Sequence, residues 1–205
     1  MHNAFGVFKE NIQQTKAISD LYNYLTTQLG QNGHMADDLL RAQMVYAVSA
    51  FDKLMHDLIR IGLMEIFEGK RPETAKYSNE PIQMQFVNAI KNATIPPPEY
   101  YFEQAMIQKL KVMSFQDPNK VVDGLAFIWD ESQKWQKIAA ELQCDDKSLK
   151  TDLKLIVERR NKIVHEADIN ALDGSKLSID TESSGKAISL LENLGTVIFN
   201  LVKLS

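Results

Sequence analysis

The sequence predicts an all-α fold, a helical bundle with an extra N-terminal helix and peripheral loops, on two observations. Apolar residues recur at spacings of three and four through most of the chain, the period of a helix with one buried face. Glycine, proline and aspartate interrupt that period, and a single brief alternating run, Lys176–Asp180, has the period of a strand. No internal repeat or low-complexity tract is visible, and the pattern accommodates roughly six to eight helices.

Taken in order, residues 5–29 carry Phe5, Phe8, Ile12, Ile18, Leu21, Tyr22, Leu25 and Leu29 at helical spacing, and Gly30-Gln31-Asn32-Gly33 ends that pattern. Residues 1–35 are therefore read as an N-terminal helical extension and 36–205 as the main helical domain. From Ala36 to Phe67 runs the longest periodic segment, with Asp37 or Asp38 suited to its first turn. Its apolar residues spread over too wide an arc for a surface helix, which makes it central to the core. A polar stripe survives on it through Ser49, Asp52, Lys53, His56 and Arg60. That stripe is either a solvated face or, through Asp52 and His56, a contribution to a site.

Residues 69–81 read as a loop, and a short helix follows around Gln83–Ile90. Pro96-Pro97-Pro98 forces extended backbone. Tyr100 to Met113 then describes another amphipathic helix, whose aromatic start packs on the core more readily than it stacks on bases. Asp117-Pro118 predicts a helix start, with aspartate as cap and proline at the first helical position. Trp135, Ile138, Ala139 and Leu142 continue or follow that helix. Ser148 is the expected cap of the next, with a buried stripe of Leu149, Leu153, Ile156, Val157 and Val164. Asp173-Gly174 and Ser184-Gly185 signal turns, and Lys186–Leu204 resumes the helical period.

Composition narrows the function classes. A chain of 205 residues, 44% hydrophobic and 24% charged, builds one sizeable core. At a net charge of −4 any nucleic-acid contact needs a local basic patch. Cys144 is the single cysteine, which excludes an intrachain disulfide and a multi-cysteine zinc site. His2, His34, His56 and His165 are the only histidines, without an HExxH spacing, so no metal and no cofactor is expected. No stretch approaches the ~20 apolar residues of a membrane span. No signal-peptide pattern opens the chain, and a cytoplasmic location is expected.

The densest gathering of chemically useful side chains is Glu158-Arg159-Arg160-Asn161-Lys162-Ile163-Val164-His165-Glu166. Asn161 and His165, four apart, share a helix face, whereas Arg160 lies about 140° round from His165. One straight helix does not hold Arg160 beside His165. The arginine reaches round, the helix ends, or a second copy of the motif completes the site. Cleaving RNA without metal needs a base for the 2′-OH proton, an acid for the leaving 5′ oxygen and a cation at the phosphate. Histidine suits the proton work and arginine the phosphate. Lys147, Lys150, Lys154, Arg159, Arg160 and Lys162 outnumber the acids of the same segment, which gives a modest positive surface leading to the motif. The bland alternative is structural: an Arg-Asn pair capping carbonyls, and His165 as a cation at the helix C-terminus.

Arg160-Asn161-Lys162-Ile163-Val164-His165 resembles the R-x4-H signature of the higher-eukaryote-and-prokaryote nucleotide-binding (HEPN) superfamily. Two longer blocks narrow the likeness. Asp38–Arg41 through Ala50–Leu58 resembles the first core helix of the RiboL-PSP-HEPN family, and Leu155–Asp168 resembles its RRN-x-I-x-HEAD segment. The resemblance implies a helical bundle that dimerises so that both motif copies face one cleft. It also implies a metal-independent endoribonuclease of toxin–antitoxin or antiphage defence, acting on RNA with or without a separately encoded antitoxin or defence partner. Carried onto this chain, Arg160 and His165 become the catalytic pair and Asn161 their polar neighbour. Asp52, His56 and Arg159 become supporting residues; the local basic surplus, apart from the resemblance, makes Lys150, Lys154 and Lys162 the candidate RNA-binding cations. The alternative is a non-catalytic helical module that binds a partner protein or nucleotide.

Overall fold

In the computed structural model the described residues are 1–31 and 33–203, without the side chain of His34, and they fold as an all-α bundle. Asn32, within the expected break, and Leu204, at the expected end of the last helix, lie outside the described residues. Helix α2 (His34–Phe67) is the axis. Leu40, Ala47, Val48, Phe51, Leu54, Met55, Leu58, Ile59 and Leu63 are all essentially inaccessible to solvent. A buried arc this wide requires neighbours on several sides. They are α1 (His2–Asn23), α5 (Pro98–Leu110), α6 (Pro118–Leu125), α8 (Asp146–Glu166) and α9 (Thr181–Val202). Asp37 lies in the first turn of α2, as expected.

The N-terminal helix packs on this body and shares its core. Phe8 and Ile12 of α1 are 1% exposed and belong to the same cluster as α2 and α9. Gly195 of α9 makes that close approach workable, since a Cβ there would stand 2.6 Å from the Phe8 ring and 3.0 Å from Leu54. Glu192 of α9 accepts from Lys9 and Lys16 of α1. Partial burial pushes the Glu192 carboxyl up, but hydrogen bonds from Lys16 and Lys9 outweigh it and hold it below the usual range. After α1 the chain makes a π-helical turn at Tyr24–Gln28, and Gly30 and Gly33 take φ of 63° and 104° before α2 begins.

Between α2 and α8 the chain is shorter-stepped. The expected loop at 69–81 contains one helical turn, α3 (Ala75–Ser78), because the buried Thr74 hydroxyl accepts from the Tyr77 N–H. Helix α4 (Met84–Lys91) matches the short helix read from the sequence, and α5 starts at Pro98 itself. Asp117 caps α6 by accepting from the Asn119 and Lys120 N–H groups, with Pro118 in the first turn. Helix α7 (Lys134–Glu141) is separate, and its Trp135 indole donates to the Pro118 carbonyl at 3.1 Å.

Four local expectations are corrected. Helix α8 is capped by Asp145, not Ser148: Asp145 accepts from the Ser148 N–H at 2.8 Å, and the Ser148 hydroxyl donates to the same carboxylate. An aspartate immediately before the first helical turn competes better for the cap than a serine already inside it. Ser184-Gly185 is no turn but lies inside α9, whose cap is Asp180, accepting from Ser183 N–H at 2.7 Å. Lys176–Asp180 forms no strand among the described residues; its one bridge pairs Lys176 with Ile169 across the Gly174 turn. Val164 is 48% exposed although it lies about 20° round from buried Leu153 on an ideal helix. Periodicity assigns a side, but burial requires a neighbouring element there. No described helix is long and apolar enough to cross a membrane.

Candidate active site at the end of the motif helix

The site is built by the way α8 begins and ends. Its start is fixed by the Asp145 cap and by an Asp146–Lys150 pair of 2.8 Å one turn apart. Leu149, Leu153 and Ile156 then hold it on the core. Its end is sharp. Ala167 and Asp168 both adopt left-handed backbone, with φ of 51° and 58°. Both of their N–H groups turn back to the Lys162 carbonyl, closing the last turn of the helix. Left-handed backbone costs a residue bearing a Cβ about 1–2 kcal/mol, so two in succession need strong fastening.

The fastening is a buried ion cluster. Asp168 is fully buried, and its Oδ2 accepts from Arg41 Nε at 2.7 Å and from Arg159 Nη2 at 2.8 Å. Arg41, only 4% exposed on α2, also donates to Asp38 and to the Leu177 carbonyl. Arg159 donates in addition to the Ser178 carbonyl. The two guanidiniums thus pin both the end of α8 and the returning segment 177–178 to the body.

On this frame sit the motif residues. His165 is exposed in the last turn of α8, where a cation also meets the negative end of the helix dipole. Arg160 is half-buried one turn back. Its Nη1 donates to Asn161 Oδ1 at 2.9 Å, and its Nε is buried with no partner among the described residues. A planar, permanently charged guanidinium held by a neighbouring amide is suited to an anion. No hydrogen bond links Arg160 to His165 within the chain, which agrees with their angular separation on the helix.

The other expected residues have distinct placements. Asp52 of α2 accepts from the Phe115 N–H at 2.7 Å and from the Gln116 amide at 3.2 Å, so it secures the connection between α5 and α6. His56, one turn on, stands 4.0 Å from the Asp52 carboxylate and edge-on to the Phe115 ring. Arg159 is engaged with Asp168, as described above. Of the three lysines, Lys150 pairs with Asp146 and Lys154 with Glu158 at 3.8 Å, while exposed Lys162 has no ion pair among the described residues. The positive surface along α8 is therefore partly compensated by its own acids. Among the described residues no group of three His, Cys, Asp or Glu side chains is placed to hold a metal ion.

Sequence reasoning missed the Arg41–Asp168–Arg159 cluster. Both Arg41 and Asp168 stand inside the two blocks that carry the family resemblance, which was the available signal. The profile of the RiboL-PSP-HEPN family matches residues 9–203, which takes in α2, the motif helix, α9 and most of α1. No curated protein and no solved structure matches the chain.

Proposed function

The chain belongs to the RiboL-PSP-HEPN family, and from that membership we propose that it is a metal-independent endoribonuclease working as a homodimer, in toxin–antitoxin or antiphage defence. Membership by itself makes it a nuclease-type or nucleotide-related module. The observation that carries the finer reading is the intact motif at the end of α8: His165 open to solvent, and Arg160 braced by Asn161 with a buried donor unused.

In this reading His165 moves the proton in the transphosphorylation step, in which the 2′ oxygen attacks the adjacent phosphorus and the 5′ oxygen leaves. The product strand then ends in a 2′,3′-cyclic phosphate. Arg160 stabilises the negative charge that gathers on the phosphoryl oxygens, and Asn161 sets the direction of its fork. Asp52 and His56 support the bundle from α2, and Arg159 acts through Asp168. Lys162, with Lys150 and Lys154 behind it, attracts the RNA backbone.

The test is cleavage of RNA by the purified protein with mapping of the 3′ ends. His165→Ala and Arg160→Ala are each expected to lower the rate by on the order of 10²–10³ while the helical circular-dichroism signal is kept, and chelators to change nothing. Chelator-sensitive cleavage, or full activity in His165→Ala, would overturn the reading. A dimer that binds nucleotide or a partner protein but cleaves no RNA would establish the binding-module alternative.

A further inference from the structure

Between Lys162 and Asp168 the chain contains His165 and is tied at both ends. The Lys162 carbonyl receives the Ala167 and Asp168 N–H groups, and the Asp168 side chain is gripped by Arg41 and Arg159. The Asp168 carbonyl also accepts from Leu177 N–H at 2.9 Å. Asp168 Oδ1 is buried without a hydrogen-bond partner among the described residues, and two consecutive non-glycine residues are left-handed. Strain and an unpaired buried oxygen persist where the surroundings over-determine a geometry, and such places cluster at functional sites.

We propose that Asp168 is a positioning residue for His165, a role that rests on the endoribonuclease reading above. Arg41 on α2 and Arg159 on α8 hold its carboxylate at the body of the bundle. That anchorage keeps the last turn of α8 wound and fixes where the His165 ring stands relative to Arg160. Released from it, the two left-handed residues relax, the Lys162 carbonyl loses both donors, and the turn bearing His165 opens. Arg159, inside the motif, thereby serves the site through Asp168 rather than by touching RNA.

The experiment compares the full-length wild type with Asp168→Ala, Asp168→Asn and Arg41→Lys. It measures thermal melts, the ring proton–carbon cross peak of His165 by NMR, and kcat and KM for RNA cleavage well below the melting temperature. In Asp168→Ala the His165 cross peak is expected to move and kcat to fall roughly 10²-fold, the scale of an ångström of misplacement, with KM altered less than about threefold. Asp168→Asn, which keeps an oxygen for the arginines, is expected to recover part of both, and it is the decisive variant if the alanine protein does not fold. A lowered melting temperature with an unmoved cross peak and unchanged kcat would overturn the proposal and leave Asp168 as a loop fastener. If the wild type cleaves no RNA, the proposed function fails, while the His165 cross peak in the same variants still decides whether Asp168 places that ring.

Discussion

A guanidinium recognises phosphate well only when its fork is turned toward it, and Arg160 is turned by one neighbour, Asn161, through a 2.9 Å hydrogen bond. The bond joins a charged donor to a neutral amide at a half-exposed position, so its contribution is modest, about 1–1.5 kcal/mol. Asn161→Ala should therefore reduce kcat/KM roughly tenfold, far less than loss of Arg160. Asn161→Asp should do more harm than alanine despite keeping the acceptor, because a carboxylate competes with phosphate for the same fork. Steady-state kinetics of the two variants check the order, and equal activity of Asn161→Asp and wild type would refute it. At this scale the sequence was legible wherever partners adjoin. Arg160, Asn161 and His165 stand within six residues of one another, and the Arg160–Asn161 hydrogen bond joins neighbours in the chain. The Arg41–Asp168 pair spans 127 positions, and no local period or spacing brings such residues together before the helices are packed.

Helices announce themselves by their ends, and the ends differ in how plainly they do so. Asp117-Pro118 was unambiguous because both residues act on the same turn. Asp145 and Asp180 were less so, each being followed closely by serines that are caps in their own right by type. The structure makes the aspartates the acceptors. The Ser148 N–H, then its hydroxyl, holds the Asp145 carboxyl below the ordinary range, and Ser183 does the same for Asp180. A carboxyl depressed in the folded chain lends stability that is complete above its unfolded value of about 3.9 and disappears as pH falls through the folded value. Melting temperature should accordingly decline on acidification below about pH 4. Asp145→Asn keeps an oxygen for the Ser148 N–H but has no proton to take up, so its melting curve should fall less steeply with pH. Parallel pH profiles for the two proteins would exclude this origin. Packing constrains elements as firmly as caps do. Gly195→Ala improves the helix propensity of α9 by up to about 1 kcal/mol, but it drives a methyl into Phe8, which is 1% exposed and has no room to retreat. Overpacking of that kind costs about 1–3 kcal/mol, so the net change in urea denaturation should be a loss of about 1 kcal/mol; a gain would show that α1 can shift.

At the scale of the whole molecule, the bundle leaves His165 uncovered, and its geometry keeps His165 and Arg160 apart on one helix. The angle was legible in the sequence, since it follows from a spacing of five, but only the packed bundle could say whether a neighbouring helix of the same chain closes over the motif. None of the hydrogen bonds or ion pairs described for the other helices reaches the His165 ring. A two-fold axis beside the end of α8 would supply the missing half, because an isologous contact brings residue i of one protomer to residue j of the other and the reverse. If each site takes Arg160 from one protomer and His165 from its partner, the inactive variants complement each other. Mixing His165→Ala with Arg160→Ala in equal amounts makes half the dimers mixed. In each mixed dimer one site receives both intact residues and the other receives neither. About a quarter of the wild-type cleavage rate should return, and it should appear at the rate of subunit exchange. Each variant alone stays inactive at any concentration. No recovery after complete exchange, verified by mass spectrometry of differently tagged protomers, would place the arginine and the histidine of each site in the same chain, or show that all four side chains act together.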